Sequence, residues 1–282
     1  MSYFSMGYWV LGLAALVSVV GALVGLICVR QSTESVTQKF RLVWQVAAAV
    51  CLGGVGTWLA VFVSMLGVAP TDDGLIRYES ARLITAGVIA VAAVLGGLLS
   101  LGSQADLPRL GIAGAVMGLG TSVMLYVAMD GIHVRGSVSS AWWAVILAAV
   151  IAVAIATATL WFVVRRAPIR VLIAASVLFA VGTLGMHYVR LAGMDIALDE
   201  SVGRPPGDDL FGFLVPMFVI GMLSLAVPIT AVLVAPDRRL RIAPAPAPAP
   251  APAAAAAAKQ QDAFDAGETM VIGPSSIGSS RF

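Results

Sequence analysis

The 282-residue chain contains seven apolar runs, at about 7–29, 42–67, 83–102, 110–129, 141–164, 171–191 and 210–234, each long enough to cross a bilayer as a helix. Lipid offers the backbone no hydrogen-bond partner, so a spanning segment must satisfy its own amides, as a helix does. Barrel strands would alternate apolar and polar residues, whereas these runs are continuous. Hydrophobic residues make up 60% of the chain and charged residues 11%, with a mean hydropathy of +0.96. A water-soluble domain carries about 25% charged residues. The expected fold class is therefore all-α, a polytopic bundle of seven transmembrane helices. The first run lacks the basic stretch and small-residue cleavage site of a secretory signal and reads as a retained helix.

The net charge of +2 says little, but the placement of charge along the loops orients the chain. Arg30, Lys39 and Arg41, then Arg109, then Arg165, Arg166 and Arg170, and finally Arg238, Arg239 and Arg241 follow the odd-numbered runs. The alternate loops hold Asp72, Asp73 and Glu79, then Asp130, then Asp195, Asp199, Glu200, Asp208 and Asp209. Basic loops stay on the cytoplasmic side, which puts the N-terminus outside, the C-terminus in the cytoplasm and the chain in a bacterial plasma membrane as a multi-pass protein. Trp142, Trp143, Tyr3, Tyr8 and Trp9 fit an interfacial aromatic belt. Cys28 and Cys51 fall inside or at the edge of helices and read as buried apolar thiols, not as a disulfide framework.

Internal similarity marks the ends of the second, fourth and sixth runs: GVGTWLAVFVSML at 54–66, GLGTSVMLYVAMD at 118–130 and AVGTLGMHYVRLA at 180–192. Each copy has Gly-Thr and then an aromatic residue five positions after the threonine. The matched positions are Gly56, Thr57, Trp58 and Phe62, then Gly120, Thr121 and Tyr126, then Gly182, Thr183 and Tyr188, and the threonines stand 64 and 62 residues apart. Three tandem two-helix units plus a seventh helix are therefore expected over residues 1–236, with the small residues serving close helix packing. After that point the chain changes to APAPAPAPAPAAAAAA at 243–258 and a polar end. Residues 237–282 are expected to form a disordered Ala/Pro-rich cytoplasmic tail.

The third copy, with Met186, His187 and Tyr188 in sequence, resembles the MHYT domain, a bacterial membrane module of three two-helix repeats that is usually joined to cytoplasmic signalling domains. The first copy matches the family pattern at Gly54, Gly56, Trp58, Phe62, Met65 and Leu66, with Ala60 and Val61 in place of Met-His. The second matches at Gly118, Gly120, Met124, Tyr126 and Met129, with Leu125 in place of His. In the third, Val189 replaces Thr, and Arg190 and Leu191 replace a Gly-Met pair. The resemblance implies copper as a cofactor and a role in sensing oxygen, carbon monoxide or nitric oxide.

The soft donors left to hold Cu(I) are His187 with the thioethers of Met186, Met124, Met129 and Met65, and Met194 beside them. A plainer role for His187 is an interhelical hydrogen bond to Thr57, Thr121, Ser122 or Tyr126. His133 stands in the outer loop beyond the second copy. Arg190 is placed to snorkel to the interface or to pair with Asp130 or Asp195.

No phosphate-binding loop, zinc spacing or paired nucleophile and base is present, so no catalysis is expected, and no cofactor is implied other than copper. Acidic residues confined to loops and tail argue against an ion relay, and nothing points to nucleic acid. Two functions remain. Loss of two motif histidines with retention of the Gly-Thr frame favours a non-enzymatic scaffold or accessory subunit of a membrane protein complex. The alternative is a membrane sensor that binds copper or a diatomic gas near the outer face and signals through its tail to a cytoplasmic partner. In the tail, Glu268 before Thr269 and an apolar triplet after it resembles a serine/threonine-kinase site, and with the Ala-rich, Lys-poor composition it points to an actinobacterial source.

Overall fold

The computed structural model describes residues 8–35, 37–66, 76–102, 106–134, 136–165, 168–198, 207 and 210–234. The tail, including Thr269, lies outside the described residues, as do Asp72 and Asp73. Six helices are long and apolar enough to cross a membrane: α1 (Trp9–Glu34), α2 (Gln38–Met65), α3 (Ser80–Leu101), α4 (Leu107–Asp130), α5 (Trp142–Val164) and α6 (Ile169–Ala192). A further apolar helix, α7 (Leu210–Val234), contains Pro216 and Pro228, each of which withholds one backbone donor. The architecture is thus an all-α membrane bundle.

Helix ends follow local chemistry. Thr37 caps α2 by accepting the Phe40 amide at 3.4 Å. Pro108 opens α4 in its first turn, where its missing amide costs nothing. Gly102 ends α3 at a φ of +67°, a conformation that favours glycine.

Four short strands appear where the sequence suggested only loops. β1 (Ile76–Tyr78) pairs antiparallel with β2 (Ile132–Val134), and β3 (Gly136–Ser140) with β4 (Met194–Leu198). The second repeat is therefore a β1-α3-α4-β2 unit and the third a β3-α5-α6-β4 unit, each closed by its own ribbon at the same end of the bundle. Strands of three to five residues carry too little alternation to stand out beside runs of twenty apolar residues.

Successive helices pack side by side, and α6 returns against α1, so that the six close on themselves. The helix ending each repeat lies deeper than its partner. For α2, 78% of the most apolar window is buried against 44% for α1, and for α6 50% against 28% for α5. In α2 the turns widen to a π-helix over Val50–Leu59, spanning Gly53, Gly54 and Gly56 of the first copy. Such segments are rare and usually run for a single turn; here one runs for ten residues.

The glycine before each repeat threonine has one job in all three copies: it seats the partner helix of its own hairpin. A Cβ on Gly56 would stand 3.2 Å from the Ala22 backbone of α1, one on Gly120 2.3 Å from the Ala93 side chain of α3, and one on Gly182 2.2 Å from Ile155 of α5. In lipid, where no hydrophobic force drives helices together, such close approach supplies the packing energy. Gly120→Ala is therefore expected to lower stability by about 1–3 kcal/mol through overpacking against another alanine. Gly111→Ala, on the same helix with open space around it, is expected to be neutral or mildly stabilising. Thermal unfolding of the two variants in detergent distinguishes them.

Candidate functional site

The residue after each of these glycines points a hydroxyl to the interior. Thr57, Thr121 and Thr183 line one small cavity of about 10 Å³, closed by Met117, Phe179 and Met186 and by residues of α5. That space suits about one water molecule. Thr57 donates to the Leu52 carbonyl at 2.9 Å, five residues back in the π segment, and Thr121 to the Gly118 carbonyl at 2.9 Å, three residues back. Their oxygens keep lone pairs for whatever enters. The three repeats thus meet at hydroxyls in equivalent sequence positions.

One turn further towards the ribbon-capped end, the motif positions fall into register. Ala60, Met124 and Met186 are buried, and so are Val61, Leu125 and His187, the three positions where the family pattern carries histidine. The third set diverges: Phe62 is buried, Tyr188 half-buried and Tyr126 53% exposed. A shared aromatic spacing therefore does not give a shared environment, because α2 is surrounded by helices while α4 keeps one face outward. Trp58 is specific to the first copy. Its Nε1 donates to the Leu83 carbonyl of α3 at 2.9 Å, and its ring packs on Phe62 at 5.1 Å.

Met65, Met124, Met129 and Met186 belong to one buried cluster at the ribbon-capped end, and Met194 packs against it. His187 is fully buried, and neither ring nitrogen has a hydrogen-bond partner. This corrects the expected hydrogen bond to a neighbouring hydroxyl: Thr57 and Thr121 bond to their own helices, Tyr126 faces outward, and the Ser122 hydroxyl is unpartnered too. Leaving buried polar groups unsatisfied costs about 1–3 kcal/mol each. His187 stands five residues from the end of α6, so about 7 Å of helix separates it from the interface. Its ring stands edge-on to that of Tyr188 at 5.3 Å.

Arg190 departs from expectation more sharply. Among the described residues it pairs with no acid, and it does not reach out to the surface. It is 3% exposed, its Nη1 has no partner, and its guanidinium carbon lies 5.9 Å from the centre of the Tyr126 ring. Asp130 instead binds Arg82, which also holds Glu79 at 2.8 Å, and His133 reaches the same Glu79 carboxylate at 3.2 Å. This charged cluster is half-exposed and ties the start of α3 to the end of α4 and to β2. Asp195, on β4, is exposed. The ring face of Tyr126 offers Arg190 about 0.5–2 kcal/mol and the last-turn carbonyls of α6 about 0.3–1 kcal/mol. A buried guanidinium costs several kcal/mol, so these contacts leave it undercompensated.

Cys28 and Cys51 are fully buried, free, and within hydrogen-bonding reach of each other across the α1–α2 seam. Among the described residues, no three His, Cys, Asp or Glu side chains come together as a metal site. Sequence reasoning missed the burial of Arg190 and the threonine cavity; the three Gly-Thr pairs were the signal for the second.

Trp58→Phe keeps the ring and removes the bond to Leu83. Loss of about 0.5–1.5 kcal/mol of unfolding free energy is expected, measured by denaturant titration in detergent.

Residues 118–176 match the family MHYT, described as a bacterial signalling protein N-terminal repeat. The match starts at Gly118 of the second copy, runs through α5 and ends in the first turns of α6, short of His187. No curated protein and no solved structure matches the chain. Over that span the resemblance read in the motifs is supported: residues 118–176 of this membrane bundle are similar to an MHYT repeat.

Proposed function

We propose that the protein is a membrane sensor module of the signalling type, with its ligand site at the ribbon-capped end of α6. The observation that carries this reading is His187, an imidazole sealed in the protein interior with both ring nitrogens unpartnered. As a scaffold element it should have been an interhelical hydrogen bond or an aliphatic residue, as at Val61 and Leu125. Intramembrane polar groups without a structural partner mark functional sites more often than packing. The MHYT match to a family of bacterial signalling proteins supports the same side.

Copper fits the donors present. His187 supplies an uncommitted nitrogen, and Met65, Met124, Met129 and Met186 supply buried thioethers in the adjoining cluster, the soft set that suits Cu(I). A metal there would supply an open coordination position for a diatomic ligand, and the protein's part is to keep the site dry. We place the module in a bacterial plasma membrane with the ribbon-capped end outside, acting without catalysis of its own. The tail after residue 236, with Thr269 as its phosphorylated residue, passes the signal to a cytoplasmic partner.

The test is elemental analysis of purified protein after exposure to Cu(I) and washing with a mild chelator. About one copper per chain is expected in the wild type, none in His187→Ala, and weakened retention in Met124→Leu. Absence of copper from the wild type sinks the metal reading, and stoichiometric co-purification with another membrane protein, unchanged by His187→Ala, would then favour the accessory-subunit role.

A further inference from the structure

Arg190 is 3% exposed as a residue and makes no ion pair among the described residues, and its buried Nη1 has no hydrogen-bond partner. Three residues earlier, His187 is fully buried with both ring nitrogens unpartnered. Residues three apart on a helix are neighbours on its surface, about 5–6 Å apart at Cβ. One helix turn thus presents a permanent positive charge beside a second polar group, both inside the protein. Among the described residues, the acids at this end of the bundle face other groups: Glu79 and Asp130 hold Arg82 and His133, and Asp195 is exposed on β4. Buried charges are paired as a rule, and the ring of Tyr126 carries no charge to pair with.

We propose that Arg190 and His187 form a binding site for a small anion. The anion takes the charge of the guanidinium and accepts hydrogen bonds from Nη1 and from the ring nitrogen of His187 that bears a hydrogen. A guanidinium is built for this, with planar donors and no acceptor. The site goes beyond the copper reading, because an arginine does not ligate a metal cation and the second nitrogen of an imidazole remains open to a metal. The anion comes either from solution, as chloride or inorganic phosphate, or from the phosphate of a lipid headgroup. The near-complete burial of both side chains favours a small free ion.

The experiment uses the full chain, stripped of metal, in a non-ionic detergent. Its Tm is followed against sodium chloride and sodium phosphate, with sodium gluconate at matched ionic strength as the reference. A saturable rise of roughly 2–4 °C with chloride or phosphate is expected in the wild type. The rise should vanish in Arg190→Gln and persist in Arg82→Gln, which removes an exposed arginine. If Arg190→Gln does not fold, Arg190→Lys serves: it keeps the charge but loses the fork of donors, and its midpoint should move to higher anion concentration. A parallel arm places the protein in nanodiscs of phosphatidylcholine with or without phosphatidylglycerol. Stabilisation by the anionic lipid alone, lost on changing Arg190, keeps the site and assigns its anion to the headgroup. Equal Tm in all salts and lipids, or an Arg190→Lys midpoint identical to the wild type, overturns the proposal.

Discussion

Each of the three hairpins is held where a glycine lets its partner helix approach closely. In water the hydrophobic effect would press the helices together whatever their surface, but in lipid the chain must find its attraction in contact. Gly56, Gly120 and Gly182 provide that contact against α1, α3 and α5. The rest of the interior follows from their position. The next residue round the helix is a threonine, and with each glycine turned to its hairpin partner, each threonine turns to the common centre. Four residues later, again on the inner face, comes the position that the family fills with histidine.

This chain of consequences explains why some of the structure was legible in the sequence. The spans were legible because lipid tolerates little but apolar helices, and the predicted runs differ from α1 to α7 by only a few residues at their ends. The repeats were legible because packing at Gly-Thr admits few substitutes. The ribbons β1–β2 and β3–β4 were not, since three to five residues of strand are held by pairing partners far along the chain. The π segment of α2 was not legible either, as a glycine-rich apolar run reads the same in either helix form. Tyr126 and Phe62 have the same spacing and opposite exposure, a difference set by which helix lies at the middle of the bundle.

Charge at the ribbon-capped end is arranged in two ways. Arg82, Glu79, Asp130 and His133 form a half-exposed cluster in which every member has a polar partner. Pairs of that kind contribute little free energy in water, so this one mainly sets the register of α3, α4 and their ribbon. Arg190 and His187 are the reverse, deep and unpaired. The sequence suggested that Arg190 would meet Asp130, a reasonable reading of two charges at the same end of neighbouring repeats. Arg82 is closer to that aspartate through the β1–β2 closure, and the competition leaves Arg190 to the interior.

The divergence of the three copies gains meaning from where the surviving polar residues stand. In α2 and α4 the family's histidine position has become Val61 and Leu125, which belong to the apolar core. Only α6 keeps polarity there, and α6 is the helix that closes the bundle by packing on α1. Had the chain been selected for rigidity alone, a third aliphatic residue would have served better than an unsatisfied imidazole followed one turn later by a buried guanidinium. The cost is confined to the last turns of α6, where Arg190 lies against Tyr126 of α4. Polar groups left uncompensated there stand in surroundings that cannot solvate them, and any partner that satisfied them would relieve that cost. The two repeats with apolar replacements carry no such cost at the equivalent positions Val61 and Leu125.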